Sequence, residues 1–176
     1  MDDTALSKRL AFVLRHRPSS VEVTLDAAGW VPVETLLHAL RSRGVPLTRA
    51  RLERLVATSD KQRFALEDDR IRAQQGHSVP VDLGLPDVTP PALLFHGTPE
   101  RTLRAVLAEG LHRAGRHAVH LSPDADTARA VGGRRGPAVV LAVDSAAMHA
   151  DGHPFQHTAN DVWLTAQVPP EHLRRL

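Results

Sequence analysis

Four prolines, Pro80, Pro86, Pro90 and Pro91, fall within one short stretch of this chain of 176 residues. Proline fixes φ and removes a backbone donor, so such a stretch reads as a linker. The hydrophobic pattern differs on its two sides. Before it, apolar residues recur at helical spacing; after it, they form short runs that suit strands. The length accommodates one or two compact units at about 100–200 residues each. Two lobes are therefore expected, residues 1–84 and 85–176, in an α+β chain.

In the first half, Leu6, Leu10, Val13 and Leu14 share one helical face, and Asp3 or Thr4 is placed to cap the start. Pro18 stops this helix. Arg15, His16 and Arg17 then sit in its last turn, where the helix dipole favours cations. Gly29 marks a turn, Trp30-Val31 an extended piece, and Val33 to Leu40 a second helix closed near Gly44. Thr48 is a good N-cap for a third helix, on which Leu52, Leu55 and Val56 share a face. Phe64-Ala65-Leu66 and Ile71-Arg72-Ala73 flank Asp68-Asp69 as a hairpin would. Three helices and a hairpin make a winged-helix-like module. The second half is strand-rich: "ALLFHG", "AVHLS", "PAVVLAVD" and "DVWLTAQVP". One helix, "PERTLRAVLAEG", carries Pro99 near its first turn and Gly110 at its C-cap.

Composition narrows the chemistry. Hydrophobic residues make up 42 %, enough for a real core. There is no cysteine, which removes disulfides, thiolate nucleophiles and Cys-ligated metals, and which suits a reducing cytoplasm. The N-terminus "MDDTALSKRL" has no apolar signal core, and no run approaches about 20 apolar residues, so secretion and membrane spanning are not expected. The formal net charge is only +2. There are thirteen basic and eleven acidic residues up to Gly84, and nine of each beyond it. Neither half is a polycation, so any anion must be bound by individually placed arginines. His149, His153 and His157 have the i, i+4, i+8 spacing of a helical zinc site, but Gly152 and Pro154 interrupt it. No GxxxxGK[ST] or GxSxG motif is present. Asp68-Asp69 is explained by a charged hairpin tip.

Five clusters combine cations with small residues at the end of an expected element: Arg15-His16, Asp60 to Phe64, Gln75 to Ser78, His96 to Thr98, and Val131 to Gly136. Such places present backbone N–H groups and guanidinium forks to phosphate oxygens. Each alone also reads as an ordinary turn or solvated loop.

Together they carry a resemblance. "LSKRLAFVLRHRP", "LDAAGWVPVETLL", "SDKQRFAL", "IRAQQGHSVPV", "LFHGT", "EGLHRAGRHAVHLS", "VGGRRGPAVVLAVD" and "NDVWLTAQVPPEHL" follow one another as in the NAD-dependent RNA 2′-phosphotransferases of the KptA family, along nearly the whole chain. The resemblance implies a winged-helix N-lobe, a C-lobe of the ADP-ribosyltransferase type, and an active site in the cleft between. It implies an RNA with an internal 2′-phosphate, as at a tRNA-like splice junction, and NAD as co-substrate, with no metal; the sequence itself gives no sign of a membrane or of an obligate protein partner. The family's essential Arg-His-Arg-Arg set maps to Arg15, His16, Arg63 and Arg134. Arg15 and Arg63 would grip the 2′-phosphate, His16 would hydrogen-bond it or move a proton, Arg134 would stabilise charge during transesterification, and Lys61 would assist. His96, Gly97, Thr98, His120 and Ser122 match NAD-binding positions. Gln75, Gly76, His77, Ser78 and Arg135 are assigned to RNA or phosphate binding. Two departures stand out. The family commonly has His where Arg135 stands, so either arginine can fill the catalytic place, with spacing from Val131-Gly132 favouring Arg134. Its common Tyr before "HGT" is Phe95.

Two other readings compete. A winged-helix DNA-binding regulator would use "LTRARLERLV", with Arg49, Arg51 and Arg54, as its recognition helix. An ADP-ribosyltransferase that caps nucleic-acid phosphate ends would share the second lobe. Protein-modifying relatives use a late Glu to steer the nucleophile, and "NDVWLTAQVPP" offers none before Glu171.

Overall fold

The computed structural model describes residues 1–59, 61–133 and 136–176. They form two compact units, Met1–Gly84 and Leu85–Leu176. Among the described residues there are six α-helices and four small sheets. The chain is a mixed α and β protein.

The first unit opens with α1, Asp3–Arg15. Its cap is Asp2, whose carboxylate accepts the Ala5 N–H at 2.7 Å, and not the expected Asp3 or Thr4. Asp3 is already helical and pairs with Arg51 at 2.7 Å. The helix also ends sooner than its sequence implies. Arg15 is its last residue, His16 is the C-cap, and Arg17 lies outside. The residue before a proline is driven out of the α region, and Arg17 has φ −144° and ψ 66°. Pro18–Val21 then forms one 3-10 turn. Strand β1 (Val31–Pro32) leads into α2 (Val33–Ser42), and α3 (Arg49–Ala57) starts at Thr48, whose hydroxyl accepts from the Arg51 N–H. Strands β2 (Phe64–Glu67) and β3 (Arg70–Ala73) form a hairpin turning at Asp68 and Asp69. Both aspartates have positive φ, as a two-residue hairpin turn demands. The sheet order is β1-β3-β2, all antiparallel. Leu6, Leu10, Val13 and Leu14 of α1 meet Leu36, Leu40, Leu52, Phe64 and Ile71 in one core.

The second unit is built around β4 (Leu93–Pro99). A 3-10 turn at Glu100–Thr102 precedes α4 (Leu103–Glu109), and Gly110 caps it. Short strands β5 (Leu111–His112) and β6 (Val119–Leu121) follow, then α5 (Ala125–Gly132). Strand β7 (Ala138–Asp144) pairs antiparallel with the whole of β4. Helix α6 (Ser145–Ala150) leads to β8 (Gln156–His157), β9 (Trp163–Thr165), β10 (Gln167–Val168) and β11 (Leu173–Arg175). The sheets are β11-β7-β4, β6-β9-β8 and β10-β5, and reciprocal backbone hydrogen bonds between Phe95 and Ser122 link the first two. Strand β7 is buried along almost its whole length, which is why it reads as a continuous apolar run. On one face of its sheet, Leu103 and Val106 of α4 pack on Val139 and Leu141.

Helix α5 lies against Gly97. A Cβ on Gly97 would come within 1.9 Å of the Ala128 carbonyl oxygen, and one on Gly132 within 2.6 Å of the Gly97 carbonyl carbon. Only glycine permits so close a backbone approach. This half therefore holds more helix than the one expected: α5 and α6 are additional. Val131 and Gly132, read as part of a loop, close the last turn of α5. The run "DVWLTAQVP" is two strands with different partners, β9 with β6 and β8, β10 with β5.

Candidate active site

The first unit assembles one polar cluster at the C-terminal end of α1. The carbonyl of Arg15, left without an intrahelical donor, accepts the Ser78 N–H at 2.8 Å. His16 Nδ1 and Ser78 Oγ share a hydrogen bond of 3.0 Å. Gly76, at φ 84°, passes beneath the Arg15 side chain, so that a Cβ there would meet the guanidinium at 3.6 Å. The loop Gln75 to Ser78 thus holds Arg15 and His16 together. His77 is fully buried, its ring beside Gly29, and so backs the loop from inside.

Arg63 joins this arrangement through the hairpin. Its carbonyl accepts the Gln74 N–H at 2.9 Å, so it stands across from the residue that enters the loop. Its guanidinium reaches Ser7 Oγ at 3.4 Å. Ser7, Ala11 and Arg15 are spaced i, i+4, i+8 along one side of α1. Lys61 and Arg63 line a cavity of about 270 Å³ with Asp3, Thr4, Ser7, Lys8 and Ser59. The expected Arg15, His16, Lys61, Arg63 and Gln75 to Ser78 all belong to this unit. Ser7 was not singled out: it lies within the stretch "LSKRLAFVLRHRP", but nothing in its residue type marks it, and only its helical row relates it to Arg15.

The second unit gathers His96, Thr98, His120 and Ser122 around β4 and β6. His96 Nδ1–H donates to the His120 carbonyl at 3.0 Å, which leaves Nε2 as the acceptor of the neutral ring. Burial pushes the His96 imidazole below its ordinary value, and the Arg116 charge adds to this, while the carbonyl bond opposes both. His120 Nδ1–H donates to the Ala118 carbonyl at 3.0 Å, and the His117 ring stands edge-on to it at 5.8 Å. Thr102 gives its hydroxyl proton to the Pro99 carbonyl at 2.8 Å, so the 2.8 Å contact between Thr98 and Thr102 must be donated by Thr98. Thr98 Oγ1 keeps its acceptor capacity. Thr102 is a supporting residue without a sequence signal of its own. Gly97 has a packing reason in α5. Arg134, Arg135 and Asp60 lie outside the described residues.

Among the described residues, no three or more His, Asp or Glu side chains converge as a metal site would require. Helix α6 ends at Ala150, so His149, His153 and His157 sit on separate pieces. His157 instead bonds Asp161 at 2.8 Å and stacks on Trp163 at 4.4 Å.

Residues 1–167 match the model of the family described as RNA 2′-phosphotransferase, Tpt1 / KptA family. The chain belongs to this family of enzymes. It is 54 % identical over 169 residues to "Probable RNA 2′-phosphotransferase" of Streptomyces coelicolor, covering 96 % of this chain and 93 % of that one. It is 53 % identical over 172 residues to the protein of that name in Agrobacterium fabrum, covering 97 % and 92 %. For the one in Nostoc punctiforme the identity is 44 % over 173 residues, covering 97 % and 96 %. The match to the Tpt1 / KptA family spans both units and every polar group described above.

Proposed function

We propose that the protein removes an internal 2′-phosphate from RNA by transferring it to NAD. The first unit is read as a winged-helix lobe that holds the RNA phosphate, and the second as an ADP-ribosyltransferase-type lobe that holds NAD. The observation that carries the reading is the grip of the Gln75 to Ser78 loop on Arg15 and His16, with Arg63 tied to the same helix through Ser7. Guanidinium forks match phosphate oxygens, and arginines already held in place lose little entropy on binding.

In this reading Arg15 and Arg63, with Lys61, hold the RNA 2′-phosphate, and His16 hydrogen-bonds it. His96 supplies an acceptor at Nε2, which suits a ribose hydroxyl; Thr98, His120 and Ser122 complete the NAD contacts. A 2′-phosphate oxygen attacks the anomeric carbon of the nicotinamide ribose, and nicotinamide leaves with the electrons of the broken glycosidic bond. The 2″-hydroxyl of that ribose then attacks the phosphorus of the 2′-phospho-ADP-ribosylated RNA. The RNA 2′-oxygen leaves and takes a proton, giving 2′-OH RNA and ADP-ribose 1″,2″-cyclic phosphate. Arg134 stabilises the added negative charge of this second step, with Arg135 beside it in sequence. Positioning and charge neutralisation carry the rate, since the nucleophile is already an anion. The substrate is an RNA of the tRNA splice-junction type, met in the cytoplasm during splicing or repair.

A DNA-binding regulator is less well supported. Arg49 is tied to Asp69 and Glu53, and Arg51 to Asp3, so two of the three cations of α3 are engaged within their own unit. The test is an RNA oligonucleotide with one internal 2′-phosphate, incubated with and without NAD and with EDTA. Loss of the phosphate only with NAD, unchanged by EDTA, is expected. Undiminished turnover without NAD, or loss with EDTA that zinc restores, overturns the reading.

A further inference from the structure

The chain has no tyrosine, four phenylalanines and two tryptophans. Trp30, Phe64 and Phe155 are buried, and Phe95 and Trp163 are half-buried. Phe12 is the exception, 40 % exposed. It sits on α1 one turn before His16, its ring centroid 6.4 Å from the imidazole and tilted by 55°. On its other side the Arg9 guanidinium carbon stands 6.0 Å from the ring centroid. Arg9, Phe12 and His16 are spaced i, i+3, i+7 and so form one stripe on the helix. An isolated exposed apolar residue needs no explanation. This one is an aromatic ring between two nitrogen-rich side chains, beside the end of α1 where Arg15 and His16 are held.

We infer that Phe12 is a stacking platform for an RNA base next to the 2′-phosphate. This rests on the reading that His16 meets that phosphate. RNA is recognised largely through unstacked bases laid on aromatic side chains, with cations on the neighbouring backbone. The stripe offers both: a ring one helical turn, about 5.4 Å, from the phosphate ligand, and Arg9 beyond it. Every base has a π-face, so a single Phe supports stacking without fixing base identity. That suits an enzyme that must act at a 2′-phosphate whatever the surrounding sequence.

The experiment is fluorescence anisotropy with two short labelled RNAs, each with one internal 2′-phosphate. One is complete; the other is abasic at the phosphorylated nucleotide and at its 3′ neighbour. Wild type, Phe12→Ala, Phe12→Leu and Phe12→Trp are compared, with thermal melts confirming that each is folded. On the complete RNA, Phe12→Ala and Phe12→Leu should raise Kd about tenfold, as for removal of one aromatic–base stack, and Phe12→Trp should hold wild-type affinity. On the abasic RNA all four should bind alike. Equal loss on both RNAs would mean that Phe12 acts only by propping His16, and no loss on either would mean that no base stacks there; each overturns the inference. If the wild type removes no 2′-phosphate from the complete RNA, the proposed reaction fails, while the Kd comparison still decides whether Phe12 carries a base.

Discussion

His96 illustrates how one side chain's protonation follows from its surroundings. Burial and the Arg116 charge favour the neutral ring over the bond to the His120 carbonyl. Its folded-state pKa therefore lies below the imidazole value of about 6.5 expected in the unfolded chain. Below that value the unfolded state binds the proton more readily, so stability falls as pH drops, and it stops falling once His96 is protonated in the fold as well. NMR titration of the His96 ring should give a midpoint under the ordinary value; a midpoint at or above it contradicts the assigned environment. Arg15 and His16 stood out in sequence because they close a helix two to three residues before Pro18, but their proposed role came only from the family resemblance. Ser7 and Thr102 were not, because they act only through contacts that the fold creates.

Elements that joined clear punctuation to an apolar pattern were readable; punctuation alone was not enough. Helix α4 sits between Pro99 and Gly110, and the β2–β3 hairpin turns on two adjacent aspartates. Helix α5 does have a cap, Asp124, whose carboxylate accepts the Thr127 N–H at 2.7 Å, but Ala128 is its only buried residue and its closing glycines look like a loop in sequence. Its place is set by backbone approach to β4, not by an apolar stripe. Gly97→Ala should therefore be costly. Overpacking typically costs about 1–3 kcal/mol, and a methyl group 1.9 Å from a backbone carbonyl belongs at the top of that range. A Tm lower by roughly 6–12 °C in a circular-dichroism melt is expected for a chain of this size. An unchanged Tm would mean that α5 does not lie against β4 as described.

The whole molecule consists of two compact units. Arg15, His16, Lys61 and Arg63, proposed to hold the RNA 2′-phosphate, belong to Met1–Gly84, and His96, Thr98, His120 and Ser122, proposed to hold NAD, belong to Leu85–Leu176, the stretch that also carries Arg134 and Arg135. A linker was legible because Pro80 to Pro91 cannot sit inside a helix or a central strand. The ligand proposed for each unit rests on the family resemblance alone, since single Arg-His or His-Gly-Thr clusters also describe ordinary turns. Among the described residues no helix is long and apolar enough to cross a membrane. The central claim is that phosphate moves from RNA to NAD and is not hydrolysed. The direct measurement follows an RNA radiolabelled only in its internal 2′-phosphate, incubated with NAD, with labelled products and nicotinamide quantified together over time. The label should leave the RNA as ADP-ribose 1″,2″-cyclic phosphate, one equivalent for each nicotinamide released. Label appearing as inorganic phosphate, or nicotinamide released while all label stays on the RNA, would contradict the account.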